Sequence, residues 1–581
     1  YKILFSKLGM KILSLHVDHI KFKPLKKALK SVGDLSDKEK KGGSAKDALA
    51  VLTAVEKKDH NEKEVVSEFI KNVKKIAEKV GSETIVLYPY AHLSSDLASP
   101  DLAERVLNAA EKGLKKFYKV IKAPFGYYKE FEMKVKGHPL SELSREIDVG
   151  GESEEEVIDH EALLKKMSKI KMSAKKGKNG LKSNIELGRE LDLYIVSEIV
   201  GHGLPLFTPR GTKIIKELRT FIEDEETKRG YRYTSTPVMA KSDLYKVSGH
   251  WQHYKDDMFV MDVGKEKFAL RPMTCPFQFV LYKRKSRSYK DLPIKYAEIA
   301  DLFRNEKSGE LRGLSRVRQF CLADAHIICR PDQVEKEFLE VLDLVKFVMA
   351  SLNVKDIWYR FSKGDVKNKE KYIDNPKAWK ESEDLMKRIL DKSKLKYIVA
   401  KDEAAFYGPK LDLQYKDVYG KEDTLFTIQI DFALPERYDM TYKDKNNKDK
   451  RPMVVHRSSI GAIERILAVL LEQTQGNLPL WLSPVQVKIL PMTDKNIDFA
   501  KKVENRLRKE KIRVELDERV ESMSKKVRDA QVEKANYMVT IGDKEDKAGT
   551  LAVRTRKGDI EFGVELDDFV DRLKTEIKER A

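Results

Sequence analysis

The 581-residue chain has few cysteines and no long hydrophobic run. Its three cysteines, Cys275, Cys321 and Cys329, form no paired framework, which indicates a reducing compartment. The longest apolar runs, such as residues 467–471, are far shorter than the roughly 20 residues that a membrane-spanning helix needs. The sequence therefore predicts a cytoplasmic protein that does not enter a membrane.

The chain also lacks a methionine at position 1, an internal repeat and a long low-complexity tract. Residues 1–9 precede Met10 and are too short and too poorly patterned to form a secretory signal. We interpret them as an upstream translation artefact or as part of a clipped fragment.

The length and the charge narrow the class of protein further. A chain of 581 residues is long enough for roughly four domains. Its net charge of +19 and pI near 9.3 fit a polyanionic partner, although many basic proteins bind no nucleic acid specifically. The clearest linker is the acidic run at residues 150–156, which a lysine-rich run follows to residue 178. Charge blocks of this kind are usually solvated.

A β-hairpin with an arginine on each arm is predicted at residues 303–320. The strand FRNE and the returning strand RVRQF enclose the charged loop KSGELRG. Two such arginines suit the clamping of a triphosphate, because guanidinium groups bind phosphate oxygens in pairs. An exposed charged ribbon is also typical of a solvated sheet edge, so the hairpin alone leaves both interpretations open.

Arg465 is predicted to lie in the first turns of a buried helix. The segment 456–465 runs into an apolar stripe at helical spacing, Ile466, Leu467, Leu470 and Leu471. Burying a cation without a partner costs several kcal/mol, so we expect one for Arg465. A phosphate ligand is one candidate, and a structural ion pair with Glu464 or another acid is the alternative.

These two segments resemble motifs 2 and 3 of the class II aminoacyl-tRNA synthetases. The strand and turn at 233–237, after an amphipathic helix over 211–227, resemble motif 1, which is the least specific of the three. In that class motif 1 builds the dimer interface, which implies a homodimer. Motifs 2 and 3 bind ATP with Mg²⁺, and Arg304 and Arg465 are the implied catalytic residues. The resemblance implies that ATP contacts Arg304, Glu306, Arg316, Phe320 and Arg465.

Three isolated residues, Cys275, His326 and His456, select a family within this class. Their separations are too long for a zinc finger or ribbon, and each alone is typical of a core or surface residue. Their positions in the motifs are similar to those of the cysteine and two histidines that hold a catalytic zinc in threonyl-tRNA synthetases. The resemblance implies one zinc with a coordination position open to the amine and hydroxyl of threonine.

The same resemblance implies the rest of the threonine pocket. Asp324 is expected to face the substrate amine, and Arg304 to face the carboxylate and the α-phosphate. Tyr407 and Gln429 are expected to complete the pocket, although Tyr407 also fits a core position and Gln429 a solvent-facing strand position. Leu322 stands where bacterial members of the family have a glutamine, which changes one part of the pocket wall.

Residues 10–148 are predicted to form an α/β domain. Strands at 10–16 and 85–90 lie either side of a helix whose apolar residues keep helical spacing from residue 65 to residue 80, and Gly81 ends that helix. The motifs at 88–95, 122–129 and 137–143 resemble the editing domain of archaeal threonyl-tRNA synthetases, which is related to D-aminoacyl-tRNA deacylases. Each candidate is also typical of an ordinary polar loop residue. The resemblance places in the editing pocket His92, Tyr128, Lys129 and Glu142.

Residues 479–581 are predicted to form an α/β layer with a mixed sheet. Strands are expected at 485–490, 512–517, 537–542 and 551–556, with helices reaching residue 511 and spanning about 522–535. The segment resembles the anticodon-binding domain of the threonyl, prolyl, histidyl and glycyl enzymes. The resemblance places Glu545 and Arg554 on anticodon bases, since both side chains can pair with base edges. A hairpin ion pair between them is the alternative.

Together the motifs predict a multidomain α/β and α+β protein with an antiparallel-sheet catalytic core. The expected segments are an extension at 1–9, an editing domain at 10–148, a charged linker at 149–190, a class II catalytic domain at 191–478 and an anticodon-binding domain at 479–581. The resemblance implies an ATP-dependent ligase that joins L-threonine to its tRNA and hydrolyses mischarged seryl-tRNA.

Three competing interpretations are weighed against this one. A seryl or prolyl enzyme disagrees with the cysteine and histidine positions and with the N-terminal motifs. A non-catalytic, tRNA-binding paralogue would be expected to lack a motif arginine or a metal ligand. Here all five are present: Arg304, Arg465, Cys275, His326 and His456. A free-standing editing hydrolase disagrees with the intact synthetic core.

Overall fold

The computed structural model describes residues 10–580 except 30–31, 58, 60, 95, 147–159, 168–169, 171, 173–175 and 366. It divides into two compact units, residues 1–158 and residues 159–581. The predicted extension at 1–9 and the acidic run at 150–156 lie outside the described residues. No helix in the described ranges is both long enough and apolar enough to cross a membrane.

The first unit is a mixed sheet with two long helices. Its elements are β1 (Lys11–Lys27), α1 (Asp37–Lys40), β2 (Gly43–Ala54), α2 (Glu62–Val80), β3 (Thr84–Pro89), α3 (Pro100–Leu114), β4 (Lys119–Lys122), β5 (Tyr127–Val135) and β6 (Glu142–Glu146). The strand order is β4-β3-β2-β1-β5, and β6 also pairs with β1. The parallel strands β2, β3 and β4 are joined by α2 and α3, while β1 is antiparallel to its neighbours β2, β5 and β6.

The helix predicted up to Gly81 is confirmed as α2. Its buried face, Val65, Phe69, Val73, Ile76 and Ala77, packs with α3 against one face of the sheet. The helix ends at Gly81, whose φ of 69° lies in the left-handed region that glycine adopts without strain.

The second unit contains a larger layer followed by a smaller one. The larger layer begins with α4 (His160–Met167), α5 (Asn184–Glu190), β7 (Tyr194–Ile195), β8 (Leu206–Phe207), α6 (Pro209–Lys228), β9 (Arg232–Tyr233), β10 (Met239–Lys241), α7 (Ser242–Ser248), α8 (His250–Tyr254), β11 (Val260–Val263), β12 (Glu266–Leu270), α9 (Cys275–Lys283), β13 (Ile294–Phe303) and β14 (Gln319–Cys329). It continues with α10 (Val334–Ser351), β15 (Trp358–Lys363), α11 (Pro376–Lys392), β16 (Tyr397–Lys401), β17 (Lys410–Lys416), β18 (Glu422–Asp431), α12 (Leu434–Arg437), β19 (Tyr442–Lys443), β20 (Asp449–Lys450), β21 (Met453–Ala462) and α13 (Ile463–Thr474).

An eight-stranded sheet forms the centre of this layer. Its order is β16-β15-β17-β18-β21-β14-β13-β9, and only the two outermost pairs are parallel. Residues of α6, α10 and α13 pack against one face of the sheet in the largest apolar core. The predicted antiparallel-sheet core is therefore confirmed, and β14, β18 and β21 lie at its centre.

The hairpin predicted at 303–320 is present, but its strands are shorter than expected. β13 ends at Phe303 and β14 begins at Gln319, so the arginines lie in the connection between the strands. The reason is that the backbone there bonds elsewhere: Asn305 N–H donates to the Asp257 carbonyl and Arg318 N–H to the Gly203 carbonyl. The Arg304 N–H still donates to the Arg318 carbonyl at 2.8 Å, so the two ends of the connection remain together.

The smaller layer contains β22 (Val487–Pro491), α14 (Ile497–Lys509), β23 (Val514–Leu516), α15 (Met523–Val532), β24 (Tyr537–Ile541), α16 (Asp543–Ala548), β25 (Thr550–Thr555), β26 (Ile560–Glu565) and α17 (Leu566–Glu579). Strands β22, β23 and β24 are parallel, and β25 and β26 extend the sheet antiparallel. The predicted mixed sheet is confirmed. The sequence interpretation had no counterpart for α16, β26 and α17.

Candidate active site

A buried cluster of one cysteine and two histidines lies at the centre of the eight-stranded sheet. Cys275 begins α9, while His326 on β14 and His456 on β21 lie opposite each other in the strand register. One possible ligand atom from each residue lies within 4.8 Å of the other two. The fold thus brings together three residues that are far apart in the sequence, in an arrangement that can hold a metal ion.

The outer partners of the two histidines favour metal binding. Nδ1 of His326 donates to Oε1 of Gln278 at 2.6 Å, and Nε2 of His456 donates to Oδ2 of Asp431 at 2.8 Å. Each bond occupies one ring nitrogen and orients the other toward a metal, as second partners do in metal sites. One thiolate and two imidazoles form a donor set that suits Zn²⁺.

Burial sets the protonation of the cluster. It raises the pKa of the Cys275 thiol well above its ordinary value and lowers the pKa of His326 well below its own. The protein alone therefore presents a neutral thiol and a neutral imidazole. Because a metal binds the thiolate, metal uptake must release the Cys275 proton.

The three residues predicted for the threonine pocket surround this cluster. Asp324 lies two residues before His326 on β14, on the same face of the strand, and accepts a hydrogen bond from the Thr274 hydroxyl. The Tyr407 ring stacks on His456 with a centroid distance of 4.9 Å, and its hydroxyl donates to Gln429 Oε1 at 2.5 Å. Tyr407 and Gln429 are both half-buried beside the cluster, and Tyr407 also packs against the apolar core that contains Cys275 and Phe406.

The predicted arginines lie in the connection between β13 and β14 and in the first turn of α13. The Arg304 guanidinium is 5.0 Å from the Phe320 ring centroid, and its only hydrogen-bond distance to protein in the described residues is 3.4 Å, to the Pro272 carbonyl. Arg316 instead bonds to Glu306 at 2.8 Å and to Glu310 at 2.8 Å. Arg304 is thus the least engaged of the predicted ATP-binding residues.

Arg465 lies in the first turn of the buried helix α13, as predicted, but its side chain is only partly buried. Its side chain is 25% exposed, because the residue lies at the edge where α13 meets the connection before β14. Its Nε donates to the Ser315 carbonyl at 2.9 Å, its Nη1 donates to the Thr424 carbonyl at 2.5 Å, and Asp423 lies 3.7 Å away. Glu464, the acid named as a possible partner, is buried and accepts from the Cys321 N–H at 2.9 Å.

Sequence reasoning missed a buried histidine beside the pocket. The His250 ring lies 6.4 Å from Tyr407 and 5.2 Å from Phe406, and its Nδ1 is 2.8 Å from the Ser248 hydroxyl. Burial lowers the pKa of His250 to about 3, so the imidazole is neutral. Gln278 was also missed, although its position three residues after Cys275 on a helix was a usable signal.

In the first unit, two of the four predicted editing residues, Lys129 and His92, lie at the two ends of a line of contacts that runs through Tyr88 and Tyr90. Nζ of Lys129 donates to the Pro124 and Tyr127 carbonyls at 3.0 and 2.9 Å and lies 5.1 Å from the Tyr88 ring centroid. The rings of Tyr88, Tyr90 and His92 follow at centroid distances of 6.2 and 5.4 Å. Burial lowers the pKa of Lys129 to about 8.

The other two predicted editing residues lie outside this line of contacts. Tyr128 neighbours Lys129 on β5, so its side chain is on the opposite face, where it is 56% exposed and lies near Lys26. Glu142 is exposed at the start of β6, opposite Leu15 of β1.

The predicted anticodon residues take different roles in the smaller layer. Glu545 accepts a hydrogen bond from the Gly542 N–H at 3.0 Å and so caps its own helix, α16. This contact differs from the ion pair with Arg554 that was the alternative. Arg554 lies on β25 opposite Met538, and its buried Nε has no hydrogen-bond partner among the described residues.

The sheet order, the arginines between β13 and β14, and the strand-helix unit from β21 to α13 define a class II aminoacyl-tRNA synthetase core. Known families match in three ranges. Residues 10–147 match the archaea-specific editing domain of threonyl-tRNA synthetase, residues 254–474 the class II core domain of the G, H, P, S and T synthetases, and residues 486–576 the anticodon-binding domain.

The chain belongs to the threonyl-tRNA synthetase family. A crystal structure of the RNA-binding domain of the threonyl-tRNA synthetase from Cryptosporidium parvum is 34% identical, covers 68% of this chain and 98% of its own, and has a TM-score of 0.64. A structure described as a threonyl-tRNA synthetase from Aeropyrum pernix is 28% identical, covers 69% and 97%, and has a TM-score of 0.60.

Curated bacterial relatives are more similar in sequence. Threonine-tRNA ligases of Clostridium botulinum and Clostridium perfringens are 55% and 53% identical over 401 and 399 residues, which is 68% of this chain. The matched region spans 62% of the length of those relatives.

Proposed function

We propose that this protein joins L-threonine to its tRNA in an ATP-dependent reaction and removes serine from mischarged tRNA. The observation that carries the proposal is the Cys275, His326 and His456 cluster, with Asp324, Tyr407 and Gln429 around it. We propose the boundaries 10–148 for the editing domain, 191–478 for the catalytic domain, against which the preceding helix α5 packs, and 479–581 for the anticodon-binding domain, with Zn²⁺ as the metal.

The pocket supports recognition of a small hydroxyl amino acid. When bound, Zn²⁺ would supply a Lewis-acidic position for the amine and hydroxyl of threonine. We propose that Asp324 accepts hydrogen bonds from the substrate ammonium group and that Tyr407 and Gln429 border the substrate side chain. A hydrophobic isostere such as valine would leave these polar groups unsatisfied, so we expect the pocket to reject valine strongly.

The activation step depends mainly on positioning. The threonine carboxylate attacks the α-phosphorus of ATP, the bond to the β-phosphate oxygen breaks, and pyrophosphate leaves with Mg²⁺. Arg304 is free to bind the carboxylate and α-phosphate, and Arg465 to offset charge in the transition state. Glu306, Arg316 and Phe320 would line the ATP site, and no side-chain nucleophile is required.

Transfer to tRNA makes a nucleic acid the second partner. We propose that Glu545 and Arg554 contact anticodon bases. For Arg554 the partly exposed side chain supports this, whereas Glu545 would have to combine base contact with its capping bond. The pair of α6 and β9 is proposed as the homodimer contact.

The editing site follows from a limit on the synthetic pocket. Serine keeps the hydroxyl and lacks one methyl group, a difference worth only about 1 to 3 kcal/mol. A hydrolytic site for seryl-tRNA is the expected supplement. Lys129 and His92 are proposed to orient the terminal hydroxyl of tRNA and a water molecule, with Tyr128 and Glu142 at the margin of the site, and no residue is assigned as general base.

Amino-acid-dependent exchange of pyrophosphate into ATP tests the activation step. With zinc-loaded protein we expect exchange with threonine, a weaker signal with serine, and almost none with valine or proline. Valine is the matched control because it has the shape of threonine without the hydroxyl. Exchange with none of the four amino acids would contradict the proposal and favour a tRNA-binding paralogue. A proline-driven signal would point to a prolyl enzyme.

Replacing Lys129 with alanine tests the editing site. We expect seryl-tRNA to accumulate, with at least a tenfold slower deacylation of isolated seryl-tRNA, because the cation that orients the substrate is lost, a typical size for a positioning group. Since the pKa of Lys129 is about 8, its charge is present below that pH and lost above it, so the Lys129-dependent part of the rate should fall as the pH rises through 8.

The matched control is Lys134→Ala, which removes an exposed lysine from the same strand. Deacylation by that variant should equal that of the original protein, after the uncatalysed rate is subtracted at each pH. Unchanged seryl-tRNA accumulation in Lys129→Ala would overturn the editing assignment.

A further inference from the structure

Asn184 is a buried side chain in the segment that sequence reasoning treated as a charged linker. It is the first residue of α5 and is 4% exposed. The residues before it are tied to the larger layer of the second unit, because Lys178 N–H donates to the Val418 carbonyl and the Lys182 backbone exchanges two bonds with the Gln475 side chain. Asn184 therefore belongs to the larger layer of the second unit, which contains the candidate active site.

The Asn184 amide joins three other parts of that layer. Its Oδ1 accepts from the Leu314 N–H at 3.0 Å and from the Tyr194 hydroxyl at 3.2 Å. Its Nδ2 donates to Oε1 of Glu472 at 2.7 Å, and Glu472 also accepts from the backbone N–H of Asn184 and of Val418. A donor on one side and a carboxylate on the other leave only one orientation for the amide.

The contact with Leu314 lies in the turn at 312–316 between β13 and β14. The residue before it, Gly313, has a φ of 47°, and a Cβ there would lie 2.3 Å from Oδ1 of Asn184. Glycine is thus required both by the left-handed backbone and by the close approach of the amide. The turn and Asn184 are shaped to fit each other.

The next residue of the turn connects it to the ATP site. The Ser315 carbonyl accepts from Nε of Arg465 at 2.9 Å. Arg312, at the start of the turn, pairs with Asp417 at 2.9 Å and with Asp423 at 2.5 Å, and Asp423 lies 3.7 Å from Arg465. The turn therefore supplies one contact of the Arg465 guanidinium, the Ser315 carbonyl, and shares Asp423 with that guanidinium through Arg312.

We propose that Asn184 is a positioning residue for ATP: it holds the turn at 312–316 so that the Ser315 carbonyl orients Arg465. The inference rests on the proposed function, because it assigns Arg465 to ATP. Asn184 touches no reacting atom, and its effect reaches the site through Leu314 and Ser315. Loss of the amide leaves the Leu314 N–H without its partner and removes one of the three bonds that Glu472 accepts, which frees the turn to shift.

The first test is pyrophosphate exchange by Asn184→Ala. We expect the KM for ATP to rise about tenfold while the KM for threonine stays within about twofold, because only the ATP side of the pocket is displaced. The matched control is Asn496→Ala. Asn496 is also buried, at 1% exposure, and bonds near a helix start, but it lies in the smaller layer. Its two KM values should not change.

Equal KM values for ATP in Asn184→Ala and the original protein would overturn the inference. A parallel rise in both KM values would do the same, since it would indicate a merely structural role. If Asn184→Ala does not fold, Asn184→Ser is the milder variant, because it keeps a polar side chain. It still tests the inference, because a serine hydroxyl is too short to reach Leu314 and Glu472 together. The same split between the two substrates is expected for it.

A second measurement separates this inference from the proposed function. Amide hydrogen exchange over residues 308–318 should be at least tenfold faster in Asn184→Ala than in the original protein, and unchanged in Asn496→Ala. This result does not require that the protein be active with threonine. If the original protein showed no pyrophosphate exchange, the proposed function would be contradicted. If the amides of the turn were as protected from hydrogen exchange in Asn184→Ala as in the original protein, the role of Asn184 would be contradicted.

Discussion

Replacing Cys275 with alanine is expected to remove bound zinc from the protein and to lower threonine-dependent pyrophosphate exchange by at least about a thousandfold. The substitution removes the only thiolate and leaves two imidazoles, which are too few ligands to hold the zinc. Without zinc the pocket has no group to bind the hydroxyl of threonine. Zinc content by elemental mass spectrometry and the exchange rate should fall together. Because the side chain is small, we expect the fold to persist.

Cys329→Ala is the matched control for this prediction. Cys329 is also fully buried, and burial likewise raises the pKa of its thiol, but it lies outside the cluster. Its variant should keep both the zinc and the activity. A Cys275→Ala protein that retained one zinc per chain and exchanged normally would show that the cluster is not the metal site.

Replacing Arg304 with alanine is the second change with a large expected effect. We expect kcat/KM for exchange to fall by a factor of about 100 to 1,000, which corresponds to about 2.7 to 4.1 kcal/mol of transition-state stabilisation. The free energy of unfolding should hardly change, because the Arg304 side chain makes few contacts: it lies over the Phe320 ring and forms one long hydrogen bond of 3.4 Å. A thermal unfolding midpoint within about 2 °C of the original is expected.

Two other arginines provide the contrast. Arg451→Ala removes an exposed guanidinium that pairs with Asp439 at 3.0 Å, and should affect neither activity nor stability. Arg457→Ala removes a fully buried guanidinium that bonds to Glu226 at 2.6 Å, and should unfold the protein because it leaves a buried carboxylate unpaired. If Arg304→Ala lost stability like Arg457→Ala and kept its kcat/KM, the ATP role would be wrong.

Local patterns in the sequence predicted much of the fold. The apolar spacing and Gly81 were sufficient for α2, because helical periodicity and a left-handed cap are properties of neighbouring residues. The strands of the smaller layer were also found within a few residues, since each is short, apolar and bounded by turn residues. The terminal β26 and α17 were missed, although α17 has a clear buried face of Phe569, Val570 and Leu573.

Residue contacts across distant segments were not predictable in the same way. The partners of Arg465 are carbonyl groups of Ser315 and Thr424, and no side-chain pattern marks a backbone oxygen as a partner. The extent of the hairpin strands was misjudged for a related reason, because Asp257 and Gly203 take the backbone N–H groups of the connection. Asn184 was assigned to a linker because its neighbours are charged, whereas its own contacts are buried.

The sequence by itself determined the residue types of the site: one cysteine, two histidines and two arginines within recognisable motifs, and a helix and strand pattern typical of α/β domains. The family resemblance implied that the cysteine and the two histidines meet, and only the tertiary structure decided how they do so. Strand register places His326 opposite His456, and α9 brings Cys275 to them. The physical reason is that register and packing are collective properties of the buried sheet, whereas residue identity and local periodicity belong to each short segment separately.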